Sequence, residues 1–150
     1  MDIMNLIHDI CLTKNRINNT PRWKFITRNK EIKKLNNLKL QFLNLNIFDA
    51  ADSTITFLIS LDKNLVNRSD IFLFYGESHL LVKVIDDDVE TLVTYFPKNN
   101  WVEVATEHTC YSIYRNSKIS KRVNKMWEPL INKIKEKYLE IIIEMIKYLK

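Results

Sequence analysis

The sequence predicts an α+β fold, a four- to six-stranded, mostly antiparallel β-meander packed with an N-terminal helix and a long C-terminal helix. Three observations carry this prediction. Apolar residues recur at helical spacing at both ends of the chain, and between Ser53 and Arg115 the period falls to two in a series of short segments. The connections between those segments are too short for the crossover helix that parallel strands need. At 150 residues, the length fits one domain over 1–150 with a sizeable core.

Ile3, Leu6, Ile7, Ile10 and Cys11 make "DIMNLIHDICL" an amphipathic helix ending near Asn15, ahead of the polar "NRINNTPRWKF". His8 lies beside that stripe with no second ligand four residues on, so it reads as a surface histidine. In "EIKKLNNLKLQFLNLNIFD", Ile32, Leu35 and Leu38 fit a short helix. Leu38, Leu40 and Phe42 then alternate, which predicts a strand from about Leu38. The alternation of Ile55, Phe57, Ile59 and Leu61 predicts another strand over "TITFLISL". "DIFLFYG" is apolar on both faces, as a central strand would be. The segments "HLLVKVI", "VETLVTYF", "WVEVAT" and "TCYSIYR" complete the meander, with Asp86, Asp87 and Asp88 at a hairpin tip. From Val123 to Leu149 a helical stripe returns. Pro129 either opens that helix or marks a kink between two, and the broad apolar arc of "IIIEMI" fits burial or a homodimer contact.

Composition excludes several classes. One glycine, Gly76, leaves no P-loop and no dinucleotide-binding glycine motif, so nucleotide-dependent enzymes are disfavoured. Cys11 and Cys110 stand alone, without a disulfide framework or zinc knuckle. No apolar run approaches the roughly 20 residues of a membrane span, and the first residues lack a basic leader. These features predict an intracellular, soluble, cytoplasmic protein with no membrane partner. Abundant Ile, Lys and Asn with three alanines suggest an AT-rich genome, that of a low-GC bacterium, a phage or another virus.

Charge falls in blocks. Residues 1–40 carry +6, residues 41–110 carry −7 and residues 111–150 carry +6. Either the basic ends converge on a phosphate-binding face, or basic helices pack against an acidic sheet and the charges cancel.

No metal or cofactor is expected. The consecutive aspartates would point to alternate faces of a strand, and a nuclease built on Asp88 and Glu103 lacks its lysine, since Ala105 stands there. A metal-independent endoribonuclease of the toxin type would draw on His79, Lys83, His108 and Arg115, the base, acid and cations such a reaction needs. The leading expectation is instead a small, basic, non-enzymatic binding protein. It would engage nucleic acid, or an acidic surface of a nucleic-acid-handling protein, as a viral or mobile-element accessory or inhibitory factor. Its candidate contacts are Arg16, Arg22, Trp23, Lys24, Arg28, Lys30, Lys33 and Lys34 in the first basic block, and Arg115, Lys118, Lys121, Arg122 and Lys125 in the second. Trp23 and Phe25 belong to this surface only if they lie outside the core, where they could stack on bases. A homodimeric interaction module using the C-terminal helix is the third reading.

Overall fold

A computed structural model of the chain describes residues 3–61, 71–74, 79–115 and 128–148. Helix α1 (Ile3–Asn19) buries Leu6, Ile7, Ile10 and Cys11 of the expected stripe, with Ile3 half-buried, and runs a turn past Asn15 to bury Ile17 as well. It stops where the Thr20 hydroxyl donates to the Arg16 carbonyl (2.6 Å) and Pro21 follows, which cannot continue the hydrogen-bond ladder.

Helix α2 (Phe25–Leu43) replaces the strand expected from Leu38. Leu38 and Phe42, four apart, are buried on one side of the helix, whereas Leu40, which a strand would place beside them, is exposed. At its end Lys135 Nζ donates to the carbonyls of Leu43 (2.5 Å) and Leu45 (3.1 Å). A cation there satisfies acceptors that the helix leaves open and complements its dipole.

Helix α3 (Ile47–Ile59) likewise overturns the strand expected over "TITFLISL". Asn46 caps it reciprocally: the Asp49 amide donates to Asn46 Oδ1 (2.8 Å) and Asn46 Nδ2 donates to Asp49 Oδ2 (2.8 Å). The hydroxyls of Ser53, Thr54 and Thr56 donate back to the carbonyls of Asp49, Ala50 and Asp52. Helix α3 is buried almost all round, so alternation carried no information about its outward face.

Five strands follow: β1 (Ile71–Phe74), β2 (His79–Asp86), β3 (Val89–Phe96), β4 (Trp101–Ala105) and β5 (Cys110–Tyr114). They pair in sequence order, all antiparallel, giving the expected meander. Among the described residues "IFLF" is therefore an edge strand rather than the expected central one; a meander places its first strand at the margin whatever its composition. Asp86 pairs with Val89, leaving Asp87 (φ 48°) and Asp88 (φ 64°) as a two-residue turn with both central residues at positive φ, the type I′ requirement.

The inner sheet face buries Leu80, Val82, Val84, Thr91, Val93, Tyr95, Val102, Val104 and Ile113. Helices α3 and α4 (Glu128–Met145, continued by a 3₁₀ turn, Ile146–Tyr148) pack side by side against this layer, and α1 and α2 pack on them in turn. Pro129 stands in the first turn of α4, where its missing N–H costs nothing; Val123 to Trp127 lie outside the described residues. The apolar arc of α4, including Ile134, Ile141, Ile142 and Met145, is buried within the chain, which removes the surface that a dimer through this helix would use. No helix among the described residues is long and apolar enough to cross a membrane.

Candidate functional site

The connection between α1 and α2 is a short turn, closed by the Lys24 amide donating to the Pro21 carbonyl (3.0 Å). From Asn18 to Lys34 no residue is fully buried, and only Ile32, towards the far end of this stretch, packs against the core. Trp23 is 74% exposed, Phe25 63% and Ile26 67%. Burying side chains of this size normally contributes about 1.5–3 kcal/mol each. Three of them left in water within four positions are therefore a feature that needs an explanation.

Their surroundings are uniformly positive. Lys14, Arg16, Arg22, Lys24, Arg28 and Lys30 flank them, and no Asp or Glu occurs between residues 14 and 30. Lys24 Nζ stands 5.1 Å from the centroid of the Trp23 ring. No side chain caps the N-terminus of α2, so the positive end of its dipole opens beside Arg22 and Lys24. Lys33 and Lys34 follow on α2, exposed, two and three residues after Glu31. All eight candidate contacts of the first basic block thus fall on one helical hairpin.

The second block divides. Arg115 turns inward from the end of β5: Nη2 bonds Asp52 Oδ2 at 2.9 Å, Nη1 bonds Asp49 Oδ1 at 3.3 Å, and the guanidinium lies 5.1 Å from the Phe48 ring centroid. The Tyr95 hydroxyl donates to Asp52 Oδ1 at 2.6 Å. Burial first, and Asp52 second, hold the Tyr95 phenol above its ordinary pKa. This cluster ties α3 to the sheet and pairs the charge of Arg115 with two carboxylates. Lys118, Lys121, Arg122 and Lys125 lie outside the described residues.

The four candidate ribonuclease residues do not meet. His79 opposes Phe96 at one end of the sheet, with the two rings 4.5 Å apart. His108 stands in the β4–β5 loop at the other end, beside Asp88 and Glu90. Lys83 pairs with Glu90 at 3.4 Å on the outer face, while Arg115 is on the inner one. A groove of about 740 Å³ between the hairpin end and α4 mixes Lys83, Lys133 and Lys137 with Glu90, Glu136 and Glu140, so it selects for neither sign of ligand. Among the described residues no group of three or more His, Cys, Asp and Glu could hold a metal ion. Cys11 is buried and its thiol is pushed up to about 11 by that burial; Cys110 is exposed.

Two arrangements escaped the sequence. The Asp49–Asp52–Tyr95–Arg115 cluster joins residues up to 66 positions apart. On the outer sheet face His79, Phe96, Trp101 and Tyr114 form an edge-to-face row across β2 to β5. Only the strand register, which pairs Phe96 with Trp101 and Trp101 with Tyr114, could have revealed it.

No family model, no curated protein and no solved structure matches the chain.

Proposed function

We propose that the chain is a non-enzymatic nucleic-acid-binding protein whose contact surface is the tip of the α1–α2 hairpin. The observation that supports this is the exposure of Trp23 and Phe25 among six cations with no acid between residues 14 and 30. Cations displace counterions from phosphates, and exposed rings offer stacking surfaces to bases. The separation of His79, Lys83, His108 and Arg115 on the sheet supports binding over catalysis.

Binding of a labelled oligonucleotide, followed by fluorescence anisotropy across a salt series, tests the proposal. Affinity should fall steadily with salt, and the triple variant Arg22→Ala, Lys24→Ala, Arg28→Ala should weaken it at least tenfold at low salt, on the scale of a few lost phosphate contacts. Association indifferent to salt, or a triple variant that binds like the parent, would count against it. Ile26, aliphatic and exposed, favours the alternative occupant, an acidic surface on a nucleic-acid-handling protein. Pull-down with and without nuclease separates the two, because a direct protein partner survives nuclease treatment.

A further inference from the structure

We infer that the nucleic acid held at the α1–α2 tip is single-stranded, its unpaired bases stacked on Trp23 and Phe25; this rests on the nucleic-acid reading above. A duplex presents phosphates and base edges but keeps its base faces in the stack. Cations alone would suffice for a duplex, and the tip carries more than cations. Trp23 is three-quarters exposed and Phe25 nearly two-thirds, within a run, residues 21–27, that is exposed throughout. The surface an exposed ring offers is a face, and the matching surface on a nucleic acid is an unstacked base. Such a contact is worth roughly 5- to 150-fold in affinity per base. Taking a base from a duplex to meet the ring costs unstacking of comparable size, so a duplex gains little from the aromatics while a single strand gains in full.

Charge placement agrees with a short strand. Arg22 and Lys24 flank Trp23 directly, with Lys24 Nζ 5.1 Å from its ring centroid, where a phosphate beside a stacked base can be met. Arg28, four positions after Lys24, continues the same side of α2, and Arg16 and Lys30 add positive charge nearby in the sequence. If the five cations Arg16, Arg22, Lys24, Arg28 and Lys30 each meet a phosphate, the slope of log affinity against log salt is about −3.5 for a single strand. Deoxyribose and ribose strands share the recognised chemistry, bases plus phosphates, so both enter the test.

The experiment measures anisotropy of labelled oligothymidylate, oligouridylate and a hairpin duplex, each of about 15 nucleotides or base pairs. The full-length chain is used, with Trp23→Ala, Trp23→Phe and Arg22→Ala/Lys24→Ala variants. None of these residues is buried, and thermal melting confirms that each variant folds. The inference expects single strands to bind at least tenfold tighter than the duplex. Trp23→Ala should weaken single-strand binding by roughly 5- to 150-fold and duplex binding far less, and Trp23→Phe should recover most of the loss. The charge variant should weaken both. Duplex binding equal to or tighter than single-strand binding overturns the inference and leaves the nucleic-acid reading standing, as does a Trp23→Ala variant that binds like the parent. No salt-dependent binding to any of the three overturns both. Binding to vesicles containing phosphatidylserine, with no oligonucleotide binding, also overturns both and assigns the tip to an anionic membrane surface.

Discussion

Two buried tyrosines should respond in opposite directions to the loss of one oxygen atom. Tyr95 is 1% exposed and its hydroxyl donates to Asp52 Oδ1 at 2.6 Å; Tyr138 is fully buried, and among the described residues its hydroxyl has no hydrogen-bond partner. Replacing either by Phe keeps the ring and its packing. For Tyr95 the change removes a short bond to a carboxylate, a class worth about 1.5–3 kcal/mol net. The Asp52 side chain is half exposed, so water recovers part of that and the lower end, about 1.5 kcal/mol, applies. For Tyr138 no bond is lost, and a desolvated hydroxyl that costs about 1–3 kcal/mol is relieved. Tyr138→Phe should therefore be neutral or stabilising, by up to about 1 kcal/mol after the small void left behind. Urea unfolding reads both as shifts of midpoint at constant slope, and thermal melting should fall by roughly 3–6 °C for Tyr95→Phe in a domain of this size. Asp52→Asn combined with Tyr95→Phe should reveal a coupling of about 1 kcal/mol. The reasoning fails if Tyr95→Phe lies within about 0.3 kcal/mol of the parent, or if Tyr138→Phe loses as much as Tyr95→Phe.

Stability should fall on the alkaline side. Burial raises the Cys11 thiol from 9.0 to about 11 and holds the Tyr95 and Tyr138 phenols above their ordinary 10.0, so the folded state keeps protons that the unfolded chain releases. The Cys11 contribution is complete below pH 9.0 and is lost as pH rises through about 11, at up to about 1.4 kcal/mol per pH unit; Lys135, lowered by burial from 10.5, opposes it in part. Urea midpoints across that range should decline, and less steeply in Cys11→Ala; a midpoint independent of pH there would refute the assignment. At the hairpin tip, Asp88 at φ 64° occupies a position that glycine adopts freely. Asp88→Gly should stabilise by about 0.5–1 kcal/mol and Asp88→Val should cost more than about 1 kcal/mol, both by urea unfolding, whereas equal stability of the three proteins would show that the turn is not strained.

The meander was legible because its period of two repeats in segments separated by turn residues, and the aspartates of "VIDDDVE" fell where the chain reverses. "TITFLISL" was misread for a physical reason. A helix buried on nearly every side shows no 3.6-residue period, and Ile55, Phe57, Ile59 and Leu61 then mimic a strand; the deciding signal was Asn46 with Asp49, a capping pair upstream of the run. The basic character of the tip was readable from Lys14 to Lys34, but its aromatic half was not. Composition gives Trp23 and Phe25 the same right to the core as Trp101, and only the packing of α1 on α2 leaves them outside. Arg115 shows the converse. As a basic residue in a basic block it looked like a phosphate contact, and the ion pairs with Asp49 and Asp52 depend on a helix the sequence had read as a strand.

The order of the meander also bears on how quickly the chain can fold. Every strand pairs with its neighbour in sequence, and α1 and α2 meet across a short turn, so these contacts close small loops at little entropic cost. The distant closures join the helical layer to the sheet and to α4, among them the Asp49–Asp52–Tyr95–Arg115 cluster. The longest of them lie where α4 docks, with Lys135 reaching the carbonyls of Leu43 and Leu45 across 92 and 90 positions. A chain arranged in this way can form its hairpins early and in parallel, leaving the docking of the last helix as the slow step that sets the folding rate. Substitutions in the turns, which form before that step, should then alter the rate of folding, while those in contacts completed only after α4 has docked should alter the rate of unfolding.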